Sequence, residues 1–304
     1  MVFKVTILGS NSAIPTLKRN PTAQLVNHNE RLFLIDCAEG TQMQLRKYHI
    51  RMQRIQHIFI SHLHGDHFFG LIGLISTMHL LGRNKELHIY GPSALQQILQ
   101  IQLQASQTEL VYPLTFHAID PNEYAVVYED DKLTISTIPL NHRIPTCGFI
   151  FKENPGKRKL RKEAIEKINI PVHEFINIKN GADYTDITGR LFKNEELTQE
   201  PNEPRSYAYC SDTSFYEPII PIVRNVSALY HEATFLHDKA HVAAEKFHTT
   251  ALQAATIAKI ANVGKLIIGH FSTRYDDATL LLDEAINVFP NTILALDGKE
   301  IEIE

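Results

Sequence analysis

Three histidines and one aspartate lie within six consecutive positions, in the sequence SHLHGDH at residues 61–67. Imidazole and carboxylate groups are the ligands that zinc and similar first-row metals take from proteins. Four donors this close along the chain are difficult to arrange around one tetrahedral ion. The alternation instead predicts that His62 and His64 face one ion, whereas Asp66 and His67 face a neighbouring ion. The alternative is a histidine run on the surface, but such runs rarely follow an apolar strand as this one does.

Residues of the same kinds follow other predicted strands: Asp36 after Leu32–Ile35, His142 after the strand that begins at Leu133, Asp212 after Tyr207–Cys210, and His270 after Leu266–Ile268. A single histidine after an apolar run is more often a core or surface residue than a ligand. Ligands, however, collect in crevices at strand ends of open α/β architectures. The recurrence of these residues beside a metal motif therefore favours a metal centre. One more ligand per ion and a shared carboxylate would complete two sites.

The composition is that of a globular protein with a sizeable core. The 304 residues are 44% hydrophobic and 21% charged, and the formal net charge is −4. No apolar stretch is long enough for a membrane span, and the start MVFKVTILGS is typical of a strand rather than a signal peptide. Cys37, Cys147 and Cys210 form no CxxC motif, which favours reduced thiols and a cytoplasmic location. The net charge excludes a basic surface over the whole protein, so nucleic-acid binding would need a local patch.

The hydrophobic pattern predicts sheets packed on one another with helices outside. Short β-branched or aromatic runs predict strands, which we assign to Phe3–Leu8, Leu32–Ile35, His57–Ser61, Leu87–Tyr90, Ala125–Tyr128, Leu133–Ile138, Gly148–Phe151, Tyr207–Cys210, Leu266–Ile268 and Thr292–Leu296. Helical spacing of apolar residues predicts three helices, around residues 95–99, 254–261 and 282–289.

The segment from residue 152 to about residue 203 departs from this pattern. Its apolar periodicity is weak, and basic side chains are concentrated near its start: Lys157, Arg158, Lys159, Arg161 and Lys162. Two interpretations stay open on these residues alone. The segment is either a solvated, poorly ordered loop or an inserted basic arm that binds a phosphate backbone.

The motifs together resemble those of the ribonuclease Z family of the metallo-β-lactamase superfamily. The matching stretches are LGSNSAIPTLKRNPTA, LFLIDCAEGTQMQL, HLHGDH, NHRIPTCGFIF, YCSDT, HEATF, KFHTTALQAA and IIGHFSTRY. HLHGDH alone indicates only the superfamily, whereas the combination is specific to this branch. The resemblance implies an α+β fold, an αββα sandwich of two packed mixed sheets flanked by helices. It further implies a single domain over residues 1–304, with a flexible arm inserted at about residues 152–203.

The resemblance also implies a ligand set for two Zn²⁺ ions per subunit, or for Mn²⁺ or another divalent metal in their place. One ion would be held by His62, His64 and His142, the second by Asp66, His67 and His270, and Asp212 would bridge the two. Asp36 would accept a hydrogen bond from a ligand imidazole and fix its orientation.

The activity implied is that of an endoribonuclease that removes the 3′ trailer from precursor tRNA and leaves a 3′-hydroxyl on the tRNA. Two dications lower the pKa of a water and neutralise charge on the phosphate. Asp66 would orient or deprotonate the attacking water, and His248 would protonate the leaving oxygen, with Glu232 holding His248 in its donor form. His248 is expected just before a helix, whose free N–H groups favour a phosphate. Arg274 would contact phosphate or pair with a neighbouring aspartate.

The expected partner is precursor tRNA, with no DNA and no membrane involved, and the enzyme is expected to be a homodimer. In the family the inserted arm grips the tRNA elbow, and here the usual glycine-proline step of that arm is replaced by Val172-His173. Two other hypotheses stay in view. One is another hydrolase of the superfamily, acting on a small ester, thioester or cyclic phosphodiester. The other is an RNA-binding scaffold that holds metal without turnover, which is disfavoured because no ligand position is lost.

Overall fold

The computed structural model describes residues 2–304, which divide into two compact units. The first unit contains the chain up to Tyr128 together with Ile135–Phe151 and Ser206–Glu304. The second contains Glu129–Thr134 and Lys152–Arg205. The second unit therefore includes the segment whose composition departs from the rest of the sequence.

The strands form two seven-stranded sheets and two small two-stranded sheets. Their bounds are β1 Phe3–Gly9, β2 Ala23–His28, β3 Arg31–Ile35, β4 Ile55–Phe59, β5 Leu87–Pro92, β6 Leu114–Ile119, β7 Val126–Glu129, β8 Leu133–Leu140, β9 Thr146–Glu153, β10 Lys159–Leu160, β11 Tyr184–Thr185, β12 Leu191–Phe192, β13 Thr198–Gln199, β14 Ser206–Cys210, β15 Ala228–Glu232, β16 Lys265–Gly269, β17 Thr292–Leu294 and β18 Glu300–Glu302.

Both large sheets are mixed. The first has the order β18-β1-β2-β3-β4-β5-β6, and its strands from β3 to β6 run parallel. The second has the order β17-β16-β15-β14-β9-β8-β7, and its strands from β14 to β17 run parallel. Neighbouring parallel strands end at the same edge of a sheet, so residues that follow them are brought together.

The helices are short. Their bounds are α1 Thr41–Lys47, α2 Gly65–Phe68, α3 Leu71–Leu80, α4 Ala94–Ala105, α5 Lys162–Ile168, α6 Phe175–Lys179, α7 Asn194–Leu197, α8 Ala240–Glu245, α9 Ala251–Ile260 and α10 Thr279–Ile286. Within residues 2–304, none of these helices has the length and apolar character needed to cross a membrane.

Amphipathic helices cover the outer face of each large sheet. On α3 the residues Leu71, Leu74, Ile75 and Met78 recur at helical spacing, and all four are buried in one cluster with residues of the first sheet. In the same way, α9 and α10 pack in one cluster with β15 and β16 of the second sheet. Burying a large aliphatic side chain contributes about 1.5–3 kcal/mol, so these contacts account for much of the stability of the two faces.

The inner faces of the two sheets meet in a layer of aromatic side chains. Phe33 on β3 contacts Phe151 on β9 with ring centroids 5.9 Å apart, and Phe59 on β4 contacts Phe149 at 5.4 Å. Tyr209 on β14 crosses the layer to donate a hydrogen bond to the Asp36 carboxylate at 2.7 Å. The predicted αββα sandwich of two mixed sheets flanked by helices is confirmed.

The second unit has secondary structure and a small core of its own. The buried residues of this core are Ile170, Ile178, Phe192 and Leu197. The Nε atom of Arg158 donates to the Thr198 hydroxyl at 2.7 Å, and Nε of Arg161 donates to the Thr198 carbonyl at 2.8 Å. The sequence leaves open whether this segment is a poorly ordered loop. In the structure it contains helices α5, α6 and α7 and four short strands.

Candidate metal centre

Residues that follow β3, β4, β8, β14 and β16 converge in the first unit. Asp36 is the first residue after β3, and SHLHGDH begins two residues after the end of β4. His142 lies just beyond β8, Asp212 lies just beyond β14, and His270 directly follows β16. Strands β3 and β4 are parallel and end at the same edge of the first sheet, and β14, β15 and β16 are parallel and end at the same edge of the second sheet. We call the seven predicted ligands the central cluster: His62, His64, Asp66, His67, His142, Asp212 and His270.

One half of the central cluster consists of three imidazoles facing one carboxylate oxygen. His64 Nδ1 lies 3.1 Å from His62 Nε2 and 3.2 Å from His142 Nε2. Asp212 Oδ2 lies 3.8 Å from His62 Nε2 and 3.6 Å from His142 Nε2. These four donors lie within 4.8 Å of one another, a spacing that fits one metal ion.

The other half faces the second oxygen of the same aspartate. Asp212 Oδ1 lies 3.1 Å from both His67 Nε2 and His270 Nε2. Asp66 Oδ2 lies 3.6 Å from His67 Nε2 and 3.7 Å from His270 Nε2. The two oxygens of Asp212 thus point to different groups of donors, an orientation compatible with the predicted sharing of this carboxylate.

Two buried nitrogens in the central cluster indicate that a cation belongs there. The Nε2 atoms of His67 and His270 are shielded from solvent and have no hydrogen-bond partner among the described residues. A buried polar atom without a partner costs about 1–3 kcal/mol, and a metal ion would satisfy both. Burial raises the pKa of the Asp212 carboxyl, but the neighbouring His270 and His67 outweigh burial and hold the pKa well below its usual range. The donor set, imidazole nitrogens with ionised carboxylates, fits a borderline divalent metal.

Each imidazole of this cluster whose Nε2 faces the centre is held from behind through Nδ1. His62 Nδ1 lies 3.0 Å from the Ser61 hydroxyl, and His142 Nδ1 lies 3.0 Å from the Phe247 carbonyl. His270 Nδ1 lies 3.0 Å from the Thr234 hydroxyl. His67 Nδ1 lies 2.7 Å from Asp36 Oδ2. Such contacts fix both the ring orientation and the nitrogen that is free to bind a metal.

Asp36 is a fully buried carboxylate with four hydrogen-bond contacts. Oδ1 accepts from the Ser61 backbone N–H at 2.8 Å, and Oδ2 lies within 2.9 Å of the Ser61 hydroxyl, the Tyr209 hydroxyl and His67 Nδ1. The predicted contact between Asp36 and a ligand imidazole is therefore present, and its partner is His67. Because three of these contacts converge on Oδ2 and the fourth holds Oδ1, the carboxylate is fixed in place and can hold His67 in one orientation.

Three residues of the site have left-handed backbone conformations. The φ angles of Asp36, Asp212 and His270 are +56°, +59° and +59°. Asp, Asn and His are the non-glycine residues that adopt this region most readily. In each case the chain turns sharply where the strand ends, and this turn directs the side chain toward the centre.

Glu232 and His248 form the predicted carboxylate–imidazole pair beside the central cluster. Glu232 Oε1 lies 2.9 Å from His248 Nδ1 and accepts from the Thr213 N–H at 2.7 Å. Glu232 Oε2 accepts from the Thr234 hydroxyl at 2.5 Å and from the Thr249 N–H at 3.1 Å. Burial lowers the pKa of His248, but Glu232, with smaller contributions from Asp212 and Asp66, outweighs burial and raises the pKa to about 9.

One expectation about His248 is wrong. The helix after it, α9, begins at Ala251, and its first N–H groups are not free to bind a phosphate. Thr250 and Gln253 form a reciprocal capping box, and the Leu252 N–H donates to the Glu284 carboxylate at 2.9 Å. A capping box satisfies the donors that otherwise attract an anion, so the helix end stabilises α9 rather than forming an anion site.

Comparisons with known proteins place the chain in a family. A ribonuclease Z of Bacteroides fragilis is 50% identical over 296 residues, which cover 97% of this chain and 97% of that protein. This chain belongs to the ribonuclease Z family. Human tRNase Z, short form, has a crystal structure with 26% identity, a TM-score of 0.72 and 99% coverage of both chains. A metallo-β-lactamase fold protein of Bacillus subtilis has a TM-score of 0.69 at 20% identity, covering 99% of this chain and 100% of that one.

A family model described as "Anti-Pycsar protein Apyc1" also matches, over residues 3–157. This match includes SHLHGDH and His142 but ends before Asp212, His248 and His270. The ribonuclease Z relative covers all of these positions, so it is the relative that decides the family.

The central cluster opens into a cleft of about 590 Å³ in this ribonuclease Z family member. His64, Asp66, His142, Asp212, His248 and His270 line this cleft, together with Ser12, Ala13, Arg143 and Lys246. The Ala13 N–H donates to Asp66 Oδ2 at 2.9 Å. The cleft thus brings the metal-ligand candidates and His248 to the same accessible space.

Arg274 and the basic residues of the second unit have contacts that the sequence did not predict. Nε of Arg274 donates to the Ser272 hydroxyl at 3.2 Å, and its guanidinium lies over the Phe235 ring at 5.0 Å. Arg158 pairs with Glu200, Lys159 donates to Asn202, and Lys162 lies 3.9 Å from Glu166. Arg158 and Arg161 also donate to Thr198, so these two arginines contribute to the internal structure of the second unit.

Sequence reasoning missed the residues that hold the site residues from behind. Ser61 and Thr213 adjoin predicted ligands, and Thr234 lies inside HEATF, so their positions within the motifs were an available signal. Ala13 donates its hydrogen bond to Asp66 through the backbone N–H, so the residue type at this position does not predict the contact. Nothing in the sequence distinguishes Tyr209 from an ordinary strand residue, so its hydrogen bond to Asp36 was not predicted.

Proposed function

We propose that this protein is a metal-dependent endoribonuclease that removes the 3′ trailer from precursor tRNA and leaves a 3′-hydroxyl on the tRNA. The observation that carries the proposal is the divided set of donors around Asp212, next to the Glu232–His248 pair in one cleft. Membership in the ribonuclease Z family supports the substrate, and the substrate favours a cytoplasmic enzyme.

We assign two Zn²⁺ ions to the central cluster, with His62, His64 and His142 around one and Asp66, His67 and His270 around the other. Asp212 would be shared between them, consistent with the orientation of its two oxygens. When bound, divalent ions supply Lewis-acid chemistry, since they lower the pKa of a water and offset the charge of a phosphate.

The protein's own groups account for the rest of the reaction. Asp66 orients the attacking water toward phosphorus and takes the proton that the water loses as it attacks, and this proton then passes to solvent. As the new P–O bond forms, the bond from phosphorus to O3′ of the tRNA breaks, and the trailer keeps the phosphate at its 5′ end. His248 gives the departing O3′ its proton, and Glu232 stabilises the charged imidazole that acts as donor.

The experiment is to incubate the purified protein with a precursor tRNA that carries a trailer and to map the new 3′ end. We expect a single cut after the discriminator base, which chelation abolishes and added Zn²⁺ restores. Asp66→Ala should lose this activity, whereas Asp283→Ala, an exposed aspartate on α10, should retain it. Cleavage that persists in Asp66→Ala would rule out the mechanism. Cleavage at scattered positions would rule out the substrate.

We also propose that the second unit binds tRNA away from the cleft, and that the protein acts as a homodimer. Lys157, Lys159 and Lys162 are exposed and can reach a phosphate backbone, whereas Arg158 and Arg161 hold β13 in place. Replacing the three lysines with alanine should weaken tRNA binding and reduce the slope of log affinity against log salt by about 2–3.

The matched control removes three exposed lysines from the first unit, Lys47, Lys85 and Lys259, and so changes the net charge equally. This control should leave the salt slope nearly unchanged, and neither variant should alter hydrolysis of a small phosphodiester. An equal loss of tRNA affinity in both variants would contradict the assignment. Sedimentation of the purified protein tests the dimer.

A further inference from the structure

Three histidines outside the central cluster lie on the inner face of the first sheet, toward its β6 edge. We call them the edge histidines: His57 on β4, His88 on β5 and His117 on β6. His57 pairs directly with His88 across the strands, and His117 pairs with Tyr90. The aromatic layer between the sheets thus continues to this edge as imidazoles.

Stacking fixes the planes of these rings. His57 and His88 stack with centroids 5.0 Å apart and an interplanar angle of 10°, and His117 stacks on Tyr90 at 4.3 Å and 8°. On its other side His57 stacks on Phe33 at 5.4 Å. Phenylalanine would stack in the same way, so the rings alone do not require histidine at these positions.

The contact between ring nitrogens of His88 and His117 explains why histidine occupies these two positions. His88 Nδ1 lies 3.1 Å from His117 Nε2, and both rings remain partly accessible. Two nitrogens bound to one ion at about 2.0–2.1 Å lie roughly 2.8–3.4 Å apart for bond angles from square to tetrahedral. We propose that His88 and His117 bind a borderline transition-metal ion through these two nitrogens, with Cu²⁺ preferred over Ni²⁺ and Zn²⁺.

A carboxylate lies behind the first of the two ligand rings. Glu86 Oε2 is 3.7 Å from His88 Nε2, and the other oxygen of Glu86 accepts a hydrogen bond from the Thr115 hydroxyl. At this distance Glu86 makes no hydrogen bond to the ring, unlike Asp36 with His67 at 2.7 Å, but its negative charge behind His88 favours the binding of a cation at the other nitrogen.

The surroundings of His117 leave space for the remaining ligands of an ion. His117 lines a cleft of about 280 Å³ together with Asp120 and Glu123, whose carboxylates attract cations. Burial and the neighbouring His88 lower the pKa of His117, which keeps this imidazole in the neutral form that binds metals. No residue of this site belongs to the central cluster, so the two can be loaded independently.

The test is a Cu²⁺ titration of protein first loaded with Zn²⁺, followed by electron paramagnetic resonance and by a dye assay for released Zn²⁺. We expect one equivalent of Cu²⁺ to bind without release of Zn²⁺, with a spectrum that shows coupling to two nitrogens. His117→Phe keeps the stack on Tyr90 but removes the nitrogens, and it should weaken this binding at least tenfold. His88→Gln should also weaken Cu²⁺ binding at least tenfold.

The matched control is His241→Phe, which removes an exposed histidine of α8 and should leave Cu²⁺ binding unchanged. The proposal is overturned if Cu²⁺ uptake equals Zn²⁺ release, because the ion would then enter the central cluster. It is also overturned if both His117→Phe and His88→Gln bind Cu²⁺ like the unaltered protein, which would leave a hydrogen bond as the only role of the His88–His117 contact.

Discussion

Two groups of histidines follow or occupy strands of the two large sheets, and the protein holds them in different ways. The four central-cluster rings that point Nε2 inward each have a polar partner behind Nδ1, such as Asp36 behind His67. The edge histidines are held mainly by ring stacking, as between His57 and His88. Both groups bring imidazole nitrogens close together on one scaffold.

The difference between the groups lies in what each arrangement fixes. A hydrogen bond to one ring nitrogen fixes the tautomer and directs the other nitrogen at a point in space. Stacking fixes the plane of a ring and leaves its tautomer free. We therefore expect the central cluster to lose function when the polar groups behind its imidazoles are replaced. We expect the edge histidines to tolerate replacement by other aromatic residues without loss of stability, although replacing His88 or His117 would remove metal binding.

The largest effect is expected for Asp212→Ala. This change removes the carboxylate that faces both halves of the central cluster, including the oxygen 3.1 Å from Nε2 of His67 and of His270. We expect cleavage of precursor tRNA to fall by at least about 10³-fold, because the metal provides both charge and orientation. Bound zinc, measured after dialysis, should also fall. Full zinc content with full activity would contradict a shared carboxylate.

A smaller effect is expected for Asp36→Asn, which keeps the shape and tolerates the left-handed backbone at this position. The carboxylate faces four donors, so the amide NH₂ of asparagine must face at least one of them. We expect zinc affinity to fall about 10–100-fold, measured by competition with a chelating dye. The unfolding free energy should fall by about 1–3 kcal/mol. Asp283→Asn is the control, and an unchanged zinc affinity would mean that His67 needs no carboxylate behind it.

The smallest effect is expected for His57→Phe, because phenylalanine preserves the stacks on Phe33 and His88. The change loses one long contact, 3.4 Å between His57 Nδ1 and the Tyr90 hydroxyl. We expect the unfolding free energy in denaturant to change by less than about 1 kcal/mol and tRNA cleavage to stay the same. A loss of several kcal/mol would refute stacking as the main support of the edge histidines.

The same comparison explains how far the sequence predicts the site. SHLHGDH is visible because its donors are adjacent in the chain, and His142, Asp212 and His270 are visible because each follows a recognisable strand. The edge histidines lie inside strands and are separated by about thirty residues, so only strand pairing brings them together. Asp212 faces both halves of the cluster because of its side-chain orientation and its left-handed backbone turn. Neither can be predicted from the spacing of residues in the sequence.

The fold was predictable in outline and less so in detail. Most buried strands, and sheets packed on one another with helices outside, follow from apolar runs, whereas the αββα sandwich follows from the family resemblance. Helix α3 was not predicted. Its sequence LIGLISTMHL is apolar with few polar breaks, so helical periodicity is hard to distinguish from a buried strand. The small core of the second unit was also missed. Its apolar residues, Ile170, Ile178, Phe192 and Leu197, are few and widely spaced among charged ones.

The left-handed turns at Asp36, Asp212 and His270 limit how this site can change or be copied. Each turn ends a strand and aims a side chain in the same step, so backbone and ligand cannot be exchanged separately. A β-branched residue in these places would strain the turn even where its chemistry was acceptable. A designer who moved only the seven predicted ligands onto another sheet would obtain the right atoms pointing in the wrong directions. The transferable unit is the strand end with its turn.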